Sequence, residues 1–288
     1  MNPRLQLAAA AVLFSTGGAG IKLAQFTGWQ VLCFRAVIAL VTILVLIPES
    51  RRGWSWRTAL VGVAYGATNT LFVLANKNTT AANTVFLQST SPLFILMLAP
   101  WLLGERVTRR DLAYMAVLGG GMALFFTGTP RRFTTAPDPL LGNLLAAGSA
   151  LAWALTVIGY RWLARRGMFI AAAAAGGNLL ACLWSLPLAL PVGPTQPADW
   201  LTVSYLGVVQ LGIAYVFLSR AVPRIPALDV SLVLLIEPVL NPIWAWWLHG
   251  ETLTLAALAG GVIIIAATVL RARREGQTEA VPLTSGAA

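Results

Sequence analysis

The sequence contains little charge for its length. Only 10% of its 288 residues are Asp, Glu, Lys or Arg, whereas 58% are hydrophobic and the mean hydropathy is +0.76. A soluble domain carries roughly 25% charged residues, so too few are present to cover a water-facing surface of this size. Uncharged runs at 78–104, 139–160 and 167–198 each exceed the length of about 18 residues that marks a transmembrane-helix candidate. The composition predicts an integral membrane protein with no separate soluble domain.

Residues that carry catalysis or bind metals are also scarce. There is one histidine, His249, at the end of an apolar segment, and the two cysteines, Cys33 and Cys182, fall inside apolar segments. The HExxH, Cys/His and GxxxxGKS/T patterns that mark zinc and nucleotide sites do not occur. We therefore expect no enzyme, no ATP-driven pump, no cofactor and no metal.

The positive charge is divided into short clusters. The formal net charge is +10, which in a soluble protein would suggest binding to nucleic acid. Here the arginines lie between apolar segments, so we interpret them as the flanks of membrane helices and expect no nucleic-acid partner.

Ten apolar segments predict ten transmembrane helices, since each helix needs about 20 residues. The segments are 4–24, 29–48, 58–75, 80–103, 111–128, 139–160, 168–191, 200–219, 226–248 and 253–270. At the ends of these segments and between them, 15 Lys and Arg residues, Arg4 included, fall on the side of the N-terminus, and three, Lys77, Arg131 and Arg132, fall on the other. Because cytoplasmic loops carry the excess of Lys and Arg, both termini are expected in the cytoplasm.

The chain also repeats itself. A shift of 146 residues aligns 81–108 with 227–254 without gaps, with eight of 28 positions identical, and the matches least expected by chance are Pro92/Pro238, Trp101/Trp247 and Glu105/Glu251. Helix four thus corresponds to helix nine. Because five helices is an odd number, the second copy enters the membrane from the opposite side, as in carriers built from inverted repeats.

The fold prediction is therefore an all-α integral membrane protein of two inverted five-helix repeats. The predicted units are a first repeat at 1–128, an extracytoplasmic connector at 129–138, a second repeat at 139–272 and a polar cytoplasmic tail at 273–288.

The repeated stretch resembles a known family. The run from Ala81-Ala82-Asn83 through Pro92 to Gly104-Glu105, and its copy from Leu235-Ile236-Glu237-Pro238-Val239 to Gly250-Glu251, resemble the EamA type of drug/metabolite transporter over nearly the whole chain. The resemblance implies export of small metabolites, often amino acids, and the chain is similar to YddG-type aromatic amino-acid exporters. One departure is Ser91, where the second copy has Glu237, so any role of that carboxylate is asymmetric.

Prolines mark the predicted centre of the membrane. Pro92 and Pro238 sit near the middle of their segments, and Pro242 adds a second interruption to the ninth. Broken helices at matching positions of two repeats are typical of a midplane binding site; the alternative is a pair of kinks that serve packing.

Glu237 is the carboxylate expected deepest in the membrane. It lies about 11 residues into its segment, or roughly 16 Å at 1.5 Å per residue. It could hold a substrate ammonium group or carry a coupling proton, and the alternative is a structural hydrogen bond near Pro238. Asn241 and Trp244 follow at i+4 and i+7, so we expect them on the same face.

Two basic residues fall within segments. Arg35 is about six residues into the second segment and Lys22 is near the outer end of the first, so we favour side chains that reach back to the interface for both. The alternative for Arg35 is an inward side chain that binds a substrate carboxylate through its paired donors.

Polar and aromatic residues at helical spacing complete the candidate cavity. Polar side chains avoid lipid, so these stripes should face inward, either to a cavity or to another helix. The candidates are Tyr65, Asn69, Gln88, Ser91, Trp153, Tyr160 and Tyr215.

Together these patterns predict an alternating-access carrier that exports small amphipathic metabolites, most simply amino acids including aromatic ones, across a bacterial-type plasma membrane. Its partners would be a small-molecule substrate and the lipid bilayer, with a monomer expected and a dimer as the alternative. Other metabolites or cationic drugs remain the alternative substrates, a membrane-embedded structural protein or enzyme the alternative class, and coupling to protons stays open.

Overall fold

The computed structural model describes residues 2–102, 104, 107–127, 134–221, 224 and 233–279, and their regular structure is helical, without a β-strand. The α-helices are α1 Pro3–Ser15, α2 Gly17–Leu23, α3 Gly28–Leu46, α4 Trp56–Asn78, α5 Ala81–Gln88, α6 Ser91–Leu102, α7 Arg109–Ala123, α8 Pro139–Ala164, α9 Ile170–Ala189, α10 Pro197–Tyr205, α11 Ala214–Ala221, α12 Ile236–His249 and α13 Leu255–Glu279. A π-helix, Leu206–Ile213, joins α10 to α11, and 3₁₀ turns occupy Pro48–Arg51 and Leu124–Phe126. Half of the predicted connector, 129–133, and the end of the predicted tail, 280–288, lie outside the described residues.

Seven of the described helical segments are long and apolar enough to cross a membrane. They are Pro3–Leu23, Gly28–Leu46, Trp56–Asn78, Ala81–Leu98, Pro139–Ala164, Ile170–Ala189 and Pro197–Ala221. The helices α7 and α12, with 15 and 14 residues, are shorter than the 18 residues that such a segment needs. Leu255–Arg271 is a further, shorter apolar helix. The chain is an all-helical, multi-pass membrane protein.

The first segment is broken where the sequence predicts a continuous helix. Ser15 and Thr16 turn their hydroxyl groups back onto the carbonyls of Val12 and Leu13, at 2.6 and 2.7 Å, and α2 starts at Gly17. Gly18 then fits closely against three other helices, α4, α5 and α12, since a Cβ there would lie 2.8–2.9 Å from Asn76, Ala81 and Asn241. The close approach explains why glycine follows the break.

Pro92 and Pro238 each lie in the first turn of a helix. Ser89 and Thr90 separate α5 from α6, and Pro92 is the second residue of α6, where its missing N–H is tolerated. Leu235 likewise forms a turn before α12, and Pro238 lies in that helix's first turn. The predicted interruption at Pro242 is wrong, because α12 continues through it to His249.

The connections of the bundle gather at two ends. One end holds the α2–α3, α4–α5 and α12–α13 connections together with residues 134–138, which hydrogen-bond to one another. The opposite end holds the arginine-rich turns between α3 and α4 and between α8 and α9. Between them α4 packs against α3, α8 and α9, and α12 packs against α1, α2 and α5.

Candidate functional site

A cavity of about 380 Å³ lies among α1, α3, α4, α5, α6, α8, α11, α12 and the π-helix. This volume falls in the range of roughly 300–1,000 Å³ that is typical of small-molecule sites. Ten of the predicted residues line it, namely Arg35, Tyr65, Asn69, Gln88, Ser91, Pro92, Trp153, Tyr215, Glu237 and Pro238.

Arg35 supplies a buried cation to the cavity wall. Its side chain is only 2% exposed, and Nη2 donates to Oδ1 of Asn69 at 2.7 Å. Asn69 is in turn oriented by its own Nδ2, which donates to the Tyr65 carbonyl at 3.3 Å. The expectation that Arg35 reaches back to the interface is therefore wrong: its place on α3 faces α4 and the cavity, so the guanidinium is held inside.

The other terminal nitrogen of the Arg35 guanidinium, Nη1, forms no hydrogen bond among the described residues. This nitrogen is buried. A buried charged donor without an acceptor costs free energy, and guanidinium binds carboxylates through parallel N–H donors. The cavity thus presents a donor that fits an anionic group of a ligand.

Glu237 supplies the opposite charge. It lies in the first turn of α12, lines the cavity, and has no ion-pair partner in the part of the chain that the structure describes. A carboxylate near a helix N-terminus is favourable, so a structural contribution accompanies any role in binding. The cavity has a fixed cation on α3 and a carboxylate on α12.

Aromatic side chains form one side of the cavity. Tyr65 and Tyr215 meet edge to face at 5.8 Å between ring centroids, and Phe14 meets Tyr215 in the same way at 6.1 Å. Tyr160 does not line the cavity; its hydroxyl lies 3.5 Å from that of Tyr215, behind the lining ring. Rings in such a wall can cover apolar groups and attract a cation with their faces.

Gln88 connects the cavity wall to α8. Its Nε2 donates to the Ser149 hydroxyl at 2.8 Å, and Ser149 donates to the carbonyl of Thr68 at 3.3 Å. Gln88 is therefore both a lining residue and a link between α5 and α8.

Gln210 is a lining residue that the sequence analysis missed. It is 4% exposed, its Oε1 has no partner among the described residues, and its Nε2 makes a long 3.5 Å contact to the Phe14 carbonyl. The π-helix that carries it is a rare element, found often at functional sites. The available signal was one amide in the apolar run 206–216.

Three other predicted residues lie away from the cavity lining. Asn241 donates to the Ser15 carbonyl and Trp244 to the Ser15 hydroxyl, both at 2.9 Å, so they join α12 to the end of α1. Pro242 likewise is not in the lining.

Lys22 and Glu251 close one end of the bundle. Nζ of Lys22 lies 2.9 Å from Oε1 of Glu251, and the two side chains are 1% and 2% exposed. Nζ also donates to the carbonyls of Thr79 and Thr135, while Glu251 accepts the Ala81 N–H at 2.9 Å and the Thr135 hydroxyl at 2.7 Å. The expected interfacial position of Lys22 is therefore wrong, because a carboxylate and two carbonyls bind it inside. We refer to these five residues as the Lys22–Glu251 network.

The cavity extends away from that network. Its lining includes Leu218 on α11 and Leu234 and Leu235 before α12. The other end of α12 leads to Glu251, so these leucines lie on the side of the arginine-rich turns. The cavity lining thus extends from the level of Arg35 toward the end of the bundle that carries the arginine-rich turns.

Comparison with known proteins gives concordant matches. A model of the EamA-like transporter family matches residues 4–127 and 140–272. The pseudopaline exporters CntI of Pseudomonas aeruginosa strains UCBPP-PA14 and PAO1 are each 26% identical over 272 residues, covering 92% of this chain and 93% of theirs. A solved structure, described only as a crystal structure of a protein, has a TM-score of 0.62 at 21% identity and covers 95% of this chain and 98% of its own.

Proposed function

The chain belongs to the EamA-like transporter family, and we propose that it is an alternating-access carrier that exports small amphipathic metabolites bearing both a carboxylate and an amine. Amino acids, including aromatic ones, are the simplest members of this class. The chain is a membrane transporter and not an enzyme.

The observation that carries the proposal is the unsatisfied Nη1 of buried Arg35 in a cavity that also contains Glu237. A substrate carboxylate would accept from Arg35, and its ammonium group would donate to Glu237. Tyr65 and Tyr215 would cover the apolar part of the molecule. Opposite charges in one cavity favour a zwitterion over a simple cation, because a cationic drug would leave Arg35 without an acceptor.

A larger substrate of the same chemistry is the second candidate. The two curated relatives are named as exporters of pseudopaline, which supports the outward direction. The volume of about 380 Å³ also leaves room for amino-acid conjugates larger than a single amino acid.

The proposed architecture is ten membrane helices in two inverted five-helix repeats, 1–128 and 139–272, with both termini in the cytoplasm. Two observations support it. The family model matches the two halves in succession, and each half has a helix break just before its aligned proline, Pro92 or Pro238. The excess of arginine on the side of the N-terminus supports the orientation.

In the proposed cycle, substrate enters from the arginine-rich end while the Lys22–Glu251 network keeps the other end closed. The halves then rock about the broken helices, so that the network separates and the cavity opens outward. Glu237 is the candidate proton carrier if the cycle is coupled to protons, whereas a facilitated cycle would need no titrating group.

Counterflow in liposomes that contain only the purified chain tests the proposal. Vesicles are preloaded with unlabelled amino acids, and entry of labelled phenylalanine, threonine and methionine is followed without and then with a pH gradient. Saturable exchange is the expected result. No exchange by folded protein with any of these would overturn amino acids as substrates and direct the assay to larger conjugates or to cationic drugs.

A further inference from the structure

Arginine and tryptophan side chains share one surface at the end of the bundle opposite Lys22. This arginine–tryptophan surface is formed by residues 49–57, which run from the α3–α4 turn into the start of α4, and by residues 161–169, which run from the last turn of α8 to the start of α9. The two turns touch, since a Cβ at Gly53 would lie 3.2 Å from the ring of Phe169. The residues of interest are Arg51, Arg52, Arg57, Arg161, Arg165 and Arg166, with Trp54, Trp56 and Trp162.

Two of the guanidinium groups are held on tryptophan rings. The Cζ of Arg57 lies 5.1 Å from the centroid of Trp56, and that of Arg166 lies 4.5 Å from Trp162. The two tryptophan rings are 6.3 Å apart at 62°, which links α4 to α8. A guanidinium stacked on a ring keeps N–H donors along its edge. The surface therefore presents two oriented cationic groups beside an aromatic pair.

The local charge is strongly positive. These 18 residues contain six arginines and one carboxylate, Glu49. Within the described part of the chain, neither Arg57 nor Arg166 forms an ion pair with a carboxylate. Trp56 is 67% and Trp54 47% exposed, so the rings lie on the outer surface.

Exposed tryptophan at the end of a transmembrane helix lies at the level of lipid headgroups. The anion that this level supplies is phosphate, and guanidinium pairs bind phosphate oxygens through parallel hydrogen bonds. Basic surfaces between membrane helices recognise anionic headgroups in the same way. We propose that the arginine–tryptophan surface binds the headgroup of an anionic phospholipid, with Arg57 and Arg166 on the phosphate and Trp56 and Trp162 beside the glycerol region. This site is separate from the substrate cavity and does not depend on the proposed substrate.

Native mass spectrometry of the purified full chain in detergent tests the proposal with phosphatidylglycerol and phosphatidylcholine as probes. The wild-type chain is expected to retain phosphatidylglycerol in preference to phosphatidylcholine. Removing two charges with Arg57→Gln/Arg166→Gln should weaken that binding by at least about tenfold, because two charge-assisted contacts to the phosphate are lost. The matched control Arg109→Gln/Arg110→Gln removes two exposed charges at the start of α7 and should change binding less than threefold.

A second variant separates an oriented site from diffuse attraction. Trp56→Leu/Trp162→Leu keeps every charge but removes the rings that hold the guanidinium groups, and about a fivefold loss is expected. Equal retention of the two lipids, equal losses in the two arginine double variants, or unchanged binding in the tryptophan variant would each overturn the proposal. Displacement of the lipid by inorganic phosphate alone would also overturn it, in favour of a site for free anions. Thermal unfolding of each variant, within a few degrees of wild type, ensures that folded protein is compared.

Discussion

Nη2 of Arg35 donates to Oδ1 of Asn69 at 2.7 Å while Nη1 of the same guanidinium has no partner in the described residues. Nη2 therefore fixes the side chain, and in the proposed mode of binding Nη1 would donate to the substrate carboxylate. Since Asn69 is itself held by the Tyr65 carbonyl, the cation is positioned before substrate arrives, and this reduces the entropy lost on binding.

Arg35→Gln is expected to weaken exchange of phenylalanine by at least about tenfold, because a hydrogen bond to a charged group contributes roughly 1.5–3 kcal/mol. Half-saturating concentrations in counterflow, measured for phenylalanine and for phenylalaninamide, check this. The amide has no carboxylate, so its exchange should be weakened much less by the substitution. Arg35→Lys, which keeps the charge but loses the paired donors, should not restore phenylalanine exchange. Equal losses for both compounds would remove the role of Arg35 in carboxylate binding.

Glu237→Gln is expected to abolish any dependence of uptake on an imposed proton gradient, because Glu237 is the one carboxylate in the lining of the described cavity. Uptake of labelled substrate with and without the gradient measures the effect. Glu49→Gln, on the exposed 3₁₀ turn, is the matched control and should keep the wild-type response. A gradient dependence that survives in the Glu237→Gln variant would exclude Glu237 as the proton carrier.

Gly18→Ala is expected to destabilise the chain by about 1–3 kcal/mol, the usual cost of overpacking. The added methyl group would lie 2.8–2.9 Å from Ala81, Asn76 and Asn241. Gly119→Ala on α7, where nothing lies within 4 Å of the added Cβ, should be neutral or slightly stabilising, as alanine favours a helix over glycine. Thermal unfolding in detergent distinguishes the two, and similar melting temperatures would argue against the close contact at Gly18.

Lys22→Met and Glu251→Met should each destabilise the chain by about 3–5 kcal/mol, since either change leaves one buried charge unpaired. The double variant should lose less than the sum, because both charges are then gone. Unfolding of the four chains in the same detergent gives the coupling between the two side chains. Simple addition of the two single effects would contradict a direct ion pair.

The membrane class and most candidate cavity residues followed from the sequence because they depend on composition and on helical spacing, whereas the family followed from the resemblance of the repeated stretch. Tyr65 and Asn69 on α4 and Gln88 on α5 lie on polar helix faces. Polar side chains must avoid lipid however the helices pack, so helical spacing alone predicts that these faces point inward. The roles of Arg35 and Lys22 did not follow. A long basic side chain near a helix end can reach water or turn inward, and the choice depends on partners from elsewhere in the chain, here Asn69 and Glu251.

Local breaks were also hard to predict. The interruption at Thr16 depends on hydroxyl groups bonding to the preceding turn, which serine and threonine often do without breaking a helix. The π-helix that carries Gln210 depends on close contact with α3, where Cβ atoms at Gly207 and Gly212 would collide with Ile38 and Thr42. Neither arrangement leaves a periodic pattern in the sequence.

The Lys22–Glu251 network has a consequence for selectivity. A ligand shifts an equilibrium between two conformations only by the difference between its affinities for them, and a shift from 1:99 to 99:1 requires about 5.5 kcal/mol. In the proposed cycle, an empty carrier that rests with this network intact would therefore set an energetic threshold for crossing. Molecules that fill the cavity without favouring the opened conformation would act as inhibitors, so the chain would select its cargo at the moment of reorientation more than at the moment of binding.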